Sequence, residues 1–195
     1  MQTKNKIFPL DKDRAMPLIL TGAIVLVDQI TKIIIAGFFK IFDGFPRTYW
    51  GDPPIADLFG NGFFQIIHVR NKAIAFSLGS GISETLRPIL FIVLPLLVLG
   101  FLFWYYLKST DFTKLQRWVM AGILGGGFGN IIDRIFRTDG VVDFISVKFF
   151  GIVNSPIAIL RWDRWPTFNI ADSSVVVCCI ILFLSILIPS KKSKA

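Results

Sequence analysis

The chain has 195 residues, of which 53% are hydrophobic and only 17% are charged. Soluble domains carry roughly 25% charged residues, and the mean hydropathy here is +0.64, so the composition excludes an ordinary soluble protein. The net charge is +8, but the basic residues cluster beside apolar segments, which is typical of membrane topology and argues against nucleic-acid binding.

Four apolar segments approach the roughly 20 residues that a helix needs to cross a bilayer. They are residues 16–38, 88–107, 118–136 and 171–189. Basic residues precede the first segment, fill the connection between the second and third, and follow the last. Because positive charge is enriched on the cytoplasmic side, both termini are predicted to be cytoplasmic, with residues 39–87 and 137–170 on the outer side.

The first apolar segment contains Asp28 and Lys32, which are four residues apart and therefore share one helix face. Pairing inside lipid offsets part of the cost of burying both charges. A structural ion pair that fixes helix packing and a direct catalytic role both remain open, and the structural role is at least as well supported.

The first outer segment begins with Gly and Pro turn residues and continues as FFQIIHVR over residues 63–70. Its partial alternation and β-branched residues predict a strand, and hence a small extracytoplasmic β-sheet. His68 is the only histidine. An HExxH metal site is therefore impossible, and a core position in the strand is the better interpretation of this residue.

The third apolar segment is rich in glycine. Gly122 with Gly126, and Gly125 with Gly129, have the spacing of small residues that allows close approach of helices. The phosphate-binding motifs that also contain glycine are absent from this segment, because neither a Gly-Lys-Ser/Thr sequence nor a GxGxxG register occurs. We therefore predict that these glycines serve helix packing.

Polar residues follow the glycines on one helix face. They are Asn130, Asp133, Arg134 and Arg137. Two interpretations are open: an interfacial salt-bridge network, in which Asp133 pairs with Arg137, or a surface on which Asn130 or Arg134 contacts a ligand carbonyl or a headgroup.

Asp143 and Asp172 lie beside apolar sequence, in VVDF and FNIADS. A carboxylate near lipid loses solvation, and two carboxylates brought together can share a proton and act as general base and general acid. The simpler alternative is that Asp172 only caps a helix and that Asp143 ends a strand or turn. Between them, residues 145–169 mix tryptophan with arginine, which predicts a helix or flap at the level of the headgroups.

Five motifs occur in order along the chain: DQITK, NKAIAFS, GGFGNIIDR, VVDF and FNIADS. In this combination the sequence resembles lipoprotein signal peptidase, also called signal peptidase II. The resemblance implies an aspartyl endopeptidase of the bacterial inner membrane, which removes the signal peptide from diacylglyceryl-modified prolipoproteins by cutting before the modified cysteine. It also implies an active site toward the outer face, no metal and no cofactor.

By motif position, Asp143 and Asp172 match the catalytic pair of that family. The residues that match site-lining or substrate-contacting positions are Asn71, Asn130, Arg134 and Asn169, and those that match supporting positions are Asp28, Lys32 and Asp133. The chain departs from the family at Ala73, where glycine is usual.

We expect one domain over residues 1–195, mainly α-helical, that acts as a monomer in contact with membrane lipid. We also expect the outer stretch that holds Trp162 and Trp165 to gate access to the site. The main rival function is a small proton- or ion-coupled transporter, in which the charged residues would form a relay through the bundle. A membrane assembly factor without chemistry is a third possibility.

Overall fold

The computed structural model describes residues 11–39, 54–72, 83, 86–148 and 164–188. The helices in these ranges are α1 (Lys12–Phe38), α2 (Leu86–Lys108), α3 (Lys114–Phe136) and α4 (Ile170–Leu187). The strands are β1 (Ala56–Asp57), β2 (Phe64–Asn71) and β3 (Val141–Val147). All four helices are long and apolar enough to cross a membrane. The predicted class, a mainly helical membrane protein with a small sheet, is confirmed.

Helix α3 begins before the apolar run that predicted it. Thr113 and Gln116 form a capping box: the Gln116 amide donates to Thr113 Oγ1 at 3.2 Å, and the Thr113 amide donates to Gln116 Oε1 at 3.0 Å. These bonds satisfy two backbone amides that an uncapped helix end leaves without partners. The cap thus extends the helix into a polar stretch that hydropathy alone does not mark.

Helix α2 is interrupted near its start. Residues Ile89–Val93 form a π-helical turn, after which α-helix continues over Leu94–Lys108. Pro95 offers a physical reason, because proline lacks the amide that would bond the Phe91 carbonyl and its ring crowds that oxygen. The wider turn leaves the Phe91 side chain 4% exposed. The sequence predicted an uninterrupted span here.

Contacts divide the described chain into two compact units. The first unit comprises residues 11–28, 92–131 and 170–188. Its apolar core contains Leu99, Tyr106, Leu107, Met120, Leu124 and Ile131.

The glycine-rich face of α3 packs closely against other helices in the first unit. A Cβ atom added at Gly125 would lie 3.0 Å from Ile24 Cβ of α1. One added at Gly126 would lie 2.7 Å from Val175 Cγ2 of α4 and would collide with the Ala171 carbonyl oxygen. The prediction that these glycines serve helix packing is confirmed.

The second unit comprises residues 29–39, 54–72, 83, 86–91, 132–148 and 164–169. It contains a three-stranded antiparallel sheet in the order β1-β2-β3. The predicted strand is β2. Its register against β3 shifts between Ile66, which pairs with Ile145, and Val69, which pairs with Asp143. The irregularity is a β-bulge, a feature that often redirects side chains near functional sites.

The stretch predicted as a helix or flap is extended at both of its described ends. Residues 145–147 belong to β3, and bridges pair Lys148 with Arg164 and Ile145 with Phe168. A helix is therefore the wrong prediction for these ends, because their backbone groups bond across to each other. Arg161 and Trp162 lie outside the described residues, so the gating role of this stretch stays a prediction.

Candidate functional site

Asp143 lies in the interior of β3 and is 2% exposed. Two side-chain amides donate to its carboxylate: Asn71 Nδ2 to Oδ2 at 2.9 Å and Asn169 Nδ2 to Oδ1 at 2.8 Å. A buried carboxylate needs such donors because burial removes its solvation. Since Asp143 stands within the strand, the alternative that it only ends a strand or turn is wrong.

Backbone pairing explains how both asparagines reach Asp143. Asn71 is the last residue of β2 and pairs with Val141 of β3. Asn169 follows Phe168, whose amide donates to the Ile145 carbonyl at 3.0 Å. Asn71 and Asp143 therefore come from neighbouring strands, and Asn169 follows a residue that is bridged to β3.

Gly140 makes this arrangement possible at the turn before β3. Its φ is +109°, in the region that favours glycine. A Cβ atom there would lie 2.7 Å from the Asn71 carbonyl oxygen. A larger residue would push away the backbone that carries the Asn71 amide.

Asp133 forms a buried charged cluster in the second unit. Its Oδ2 accepts the Val142 amide at 3.1 Å and lies 3.3 Å from Lys32 Nζ. Its Oδ1 accepts from Gln29 Nε2 at 3.0 Å and pairs with Arg137, which confirms the predicted Asp133–Arg137 ion pair. The cluster joins α1 through Lys32, α3 through Asp133 and β3 through the Val142 amide. Val142 is the residue directly before Asp143.

The first unit holds the second predicted aspartate. Asp172 is in the first turn of α4, and its Oδ1 accepts from Asn130 Nδ2 at 2.7 Å. Asp28 Oδ1 accepts the Ala171 amide at 2.9 Å, so a residue of α1 satisfies an amide at the start of α4. Because α4 begins at Ile170, Asp172 is the third residue of the helix and not the N-cap residue itself, and a role beyond the helix end stays a prediction.

Arg134, predicted to contact substrate, stacks on an aromatic ring. Its guanidinium carbon lies 5.4 Å from the Phe91 ring centroid, a cation–π distance. Phe91 is presented by the π-helical turn. Sequence reasoning missed this partner, and it also missed Gln29, although Gln29 stands next to Asp28 in the DQITK motif.

The structure thus places the predicted residues in two groups. In the second unit, Asn71 and Asn169 surround Asp143, while Lys32 binds Asp133. In the first unit, Asn130 bonds Asp172. The predicted Asp28–Lys32 pair stays a prediction, and Ala73 lies outside the described residues. Among the residues that the structure describes, no three His, Cys, Asp or Glu side chains are grouped as a metal site.

Each aspartate of the predicted pair bonds neutral amides, and Asp133 bonds cations. A carboxylate between two cations is largely neutralised, which suits Asp133 to a structural role. The catalytic roles of Asp143 and Asp172 stay a prediction.

Comparison with known proteins agrees with these motifs. A family model described as signal peptidase (SPase) II matches residues 20–188. The lipoprotein signal peptidase of Treponema denticola is 45% identical over 94% of this chain and 95% of its own length. The lipoprotein signal peptidase of Treponema pallidum is 34% identical over 96% of this chain and 91% of its own length. The lipoprotein signal peptidase of Borrelia hermsii is 39% identical over 94% of this chain and 97% of its own length.

A solved structure described as a bacterial membrane enzyme at 2.3 Å resolution is also similar. The structural match covers 92% of this chain and 93% of the chain in that structure, with a TM-score of 0.68 and 27% sequence identity. The family match covers α1 from residue 20, the other three apolar helices and the motifs that hold both aspartates. The chain therefore belongs to the signal peptidase II family, a family of aspartic-type membrane proteases.

Proposed function

We propose that Asp143 and Asp172 form a water-activating pair with which this chain cuts diacylglyceryl-modified prolipoproteins directly before the modified cysteine. Membership in the signal peptidase II family makes the chain a protease that removes signal peptides from prolipoproteins. The observation that carries the finer proposal is the buried Asp143 carboxylate, which accepts bonds from Asn71 and Asn169.

The two carboxyl groups would act as general base and general acid in the reaction. An ionised one takes a proton from water as the water attacks the scissile carbonyl. Its protonated partner polarises that carbonyl oxygen and later gives a proton to the leaving amine. Two such groups titrate as a pair, so the apparent pKa values of the reaction belong to neither residue alone.

Asparagine side chains orient both carboxyl groups. A carboxamide nitrogen only donates hydrogen bonds, so each carboxylate oxygen that faces one must act as an acceptor. This fixes the orientation of Asp143 through Asn71 and Asn169, and that of Asp172 through Asn130. Asn169, which bonds Asp143, stands only three residues before Asp172 in the chain.

Placement in the membrane is part of the proposal. The clusters of basic residues support cytoplasmic termini and a site on the outer side of the bacterial inner membrane. A signal helix in the bilayer and acyl chains on the substrate cysteine would then hold the scissile bond at headgroup depth. Arg134, stacked on Phe91, is suited to contact a substrate carbonyl there.

Cleavage by purified protein tests the function. The protein, in detergent with a metal chelator, is mixed with a diacylglyceryl-modified prolipoprotein peptide and with the same peptide unmodified, and the products are identified by mass spectrometry. We expect one cut, before the modified cysteine, in the modified peptide only. Absence of cleavage by correctly folded protein would overturn the proposal in favour of the transport alternative.

A further inference from the structure

The turn between β1 and β2 exposes apolar side chains. This hairpin tip, residues 58–63, reads LFGNGF and contains no charged residue. Leu58 is 60% exposed, Phe59 65% and Phe63 40%, and the two phenylalanine rings lie 6.1 Å apart. Exposed apolar clusters of this kind usually mark a contact with a partner or a membrane.

The backbone of the hairpin tip is supplied with hydrogen-bond partners by its own side chains. Asp57 accepts the amides of Phe59 at 3.3 Å and Gly62 at 2.7 Å. Asn61 Oδ1 accepts the Phe63 amide at 2.9 Å. A segment that enters the lipid bilayer needs such internal hydrogen bonds, because a backbone N–H or C=O group without a partner in lipid costs free energy.

Asp57 stays ionised at neutral pH. Burial raises the pKa of its carboxyl group, but hydrogen bonds from Gly62, Gln65 and Phe59 outweigh that effect, so the pKa lies below its ordinary value. The carboxylate that orders the tip is therefore present across the physiological range.

Further bonds join the hairpin tip to neighbouring strands. The Leu58 amide donates to the Phe64 carbonyl at 3.1 Å, and the Phe63 carbonyl accepts the Lys148 amide at 2.7 Å. The Gly62 carbonyl accepts from Arg164 Nη1 at 2.7 Å. The tip is thus an ordered apolar projection held by the sheet.

The surroundings favour lipid as the partner. Arg164 is bonded beside the tip, Lys148 is exposed, and Trp165 is 39% exposed. Basic residues are attracted to anionic headgroups, and tryptophan favours the membrane interface.

We propose that the hairpin tip inserts into the surface of the lipid bilayer and anchors the end of the sheet that is remote from Asp143. Strands rise about 3.3 Å per residue, so the tip lies on the order of 20 Å along β2 from Asn71. The strand that carries Asp143 would then be fixed at one end by Asp133 and at the other by lipid.

A fluorophore on the tip tests this directly. An environment-sensitive dye is attached to Phe59→Cys after Cys178 and Cys179, which the sequence shows to be the two native cysteines, are replaced by alanine. The labelled protein is placed in nanodiscs of phosphatidylcholine and phosphatidylglycerol. We expect a blue-shifted emission that spin-labelled lipid quenches and that soluble iodide does not.

A matched variant with Leu58→Glu and Phe63→Glu should reverse this pattern, because the charges keep the tip in water. Its cleavage in detergent should equal that of the parent, while in nanodiscs its KM should rise by at least about tenfold, because two apolar side chains that each contribute about that factor are lost. Quenching of the parent by iodide would overturn the proposal by showing that the tip lies in water. Quenching by neither agent would also overturn it, since protein would then cover the tip.

Discussion

Asp143 is a buried carboxylate that accepts hydrogen bonds from two asparagine side chains, whereas Asp133 pairs with two cations. Burial of an ionised group is costly unless donors replace water, and a cationic partner meets that need most strongly. Asp133 has Lys32 and Arg137 for this purpose, whereas Asp143 has two asparagines. The two ion pairs support a structural role for Asp133, and the reactive role proposed for Asp143 is what the next substitutions test.

Replacing either asparagine at Asp143 should reduce turnover. Asn71→Ala and Asn169→Ala each remove one donor to a charged acceptor, a bond worth about 1.5–3 kcal/mol. If that energy is used in the transition state, kcat falls by about 10- to 100-fold. Cleavage kinetics measure this, and Thr138→Ala, at an exposed turn position, is the control. Unchanged kcat in both asparagine variants would show that these bonds do not orient the reacting group.

Asp133 and Lys32 should behave as a coupled structural pair. Removing one member leaves the other buried with one ionic partner fewer, and breaking a buried pair in this way costs up to about 3–5 kcal/mol. Asp133→Asn and Lys32→Met should therefore each destabilise the protein strongly, and the double variant should lose less than the sum. Unfolding in mixed detergent measures the three values. Strict additivity would argue against the pairing.

At the scale of elements, close packing of α3 depends on its glycines. Gly126→Ala would place a methyl group against the Ala171 carbonyl, and overpacking of this kind costs about 1–3 kcal/mol. Gly100 in α2 offers a matched control, because nothing lies within 4 Å of its Cβ position. Gly100→Ala should be neutral or stabilising by about 0.5–1 kcal/mol. Equal effects of the two substitutions on unfolding would contradict the packing role.

Hydropathy predicted the four helices and periodicity predicted β2, but sequence reasoning did not predict the two-residue strand β1, strand β3 or the π-helical turn in α2. Strand β3 is buried at six consecutive positions, Val141 to Ser146. It therefore lacks the alternation of apolar and polar residues that marks a strand with one face exposed to water. The π-helical turn in α2 depends on the steric effect of Pro95 on the Phe91 carbonyl, which a hydropathy profile does not detect.

The site was predicted by residue type, but its contacts were not. Spacing on one helix face was enough to predict the Asp133–Arg137 pair. The Asn71–Asp143 bond joins residues that are distant in sequence, and it depends on sheet register and on the bulge. The Arg134–Phe91 contact depends on the π-helical turn. Long-range contacts of this kind follow from tertiary structure and not from local pattern.

At the scale of the whole molecule, charge distribution predicts orientation. Basic residues lie before α1, between α2 and α3, and after α4. With both termini cytoplasmic, a fluorescent protein fused to the C-terminus should fluoresce, and alkaline phosphatase inserted within residues 149–163 should be active. The reverse reporter pattern would place the candidate site on the cytoplasmic side.

The central claim is that one reaction requires both Asp143 and Asp172. Its most direct test is the initial rate of cleavage of a diacylglyceryl-modified prolipoprotein by Asp143→Asn, Asp172→Asn and Asp139→Asn, with thermal unfolding measured on each. Asp139 is a matched control, because its carboxylate pairs with Arg70 at 3.2 Å and is 48% exposed. We predict that each of the first two variants loses about a thousandfold or more in rate, while Asp139→Asn cleaves at the parent rate. Near-parental cleavage by either Asp143→Asn or Asp172→Asn would contradict the account.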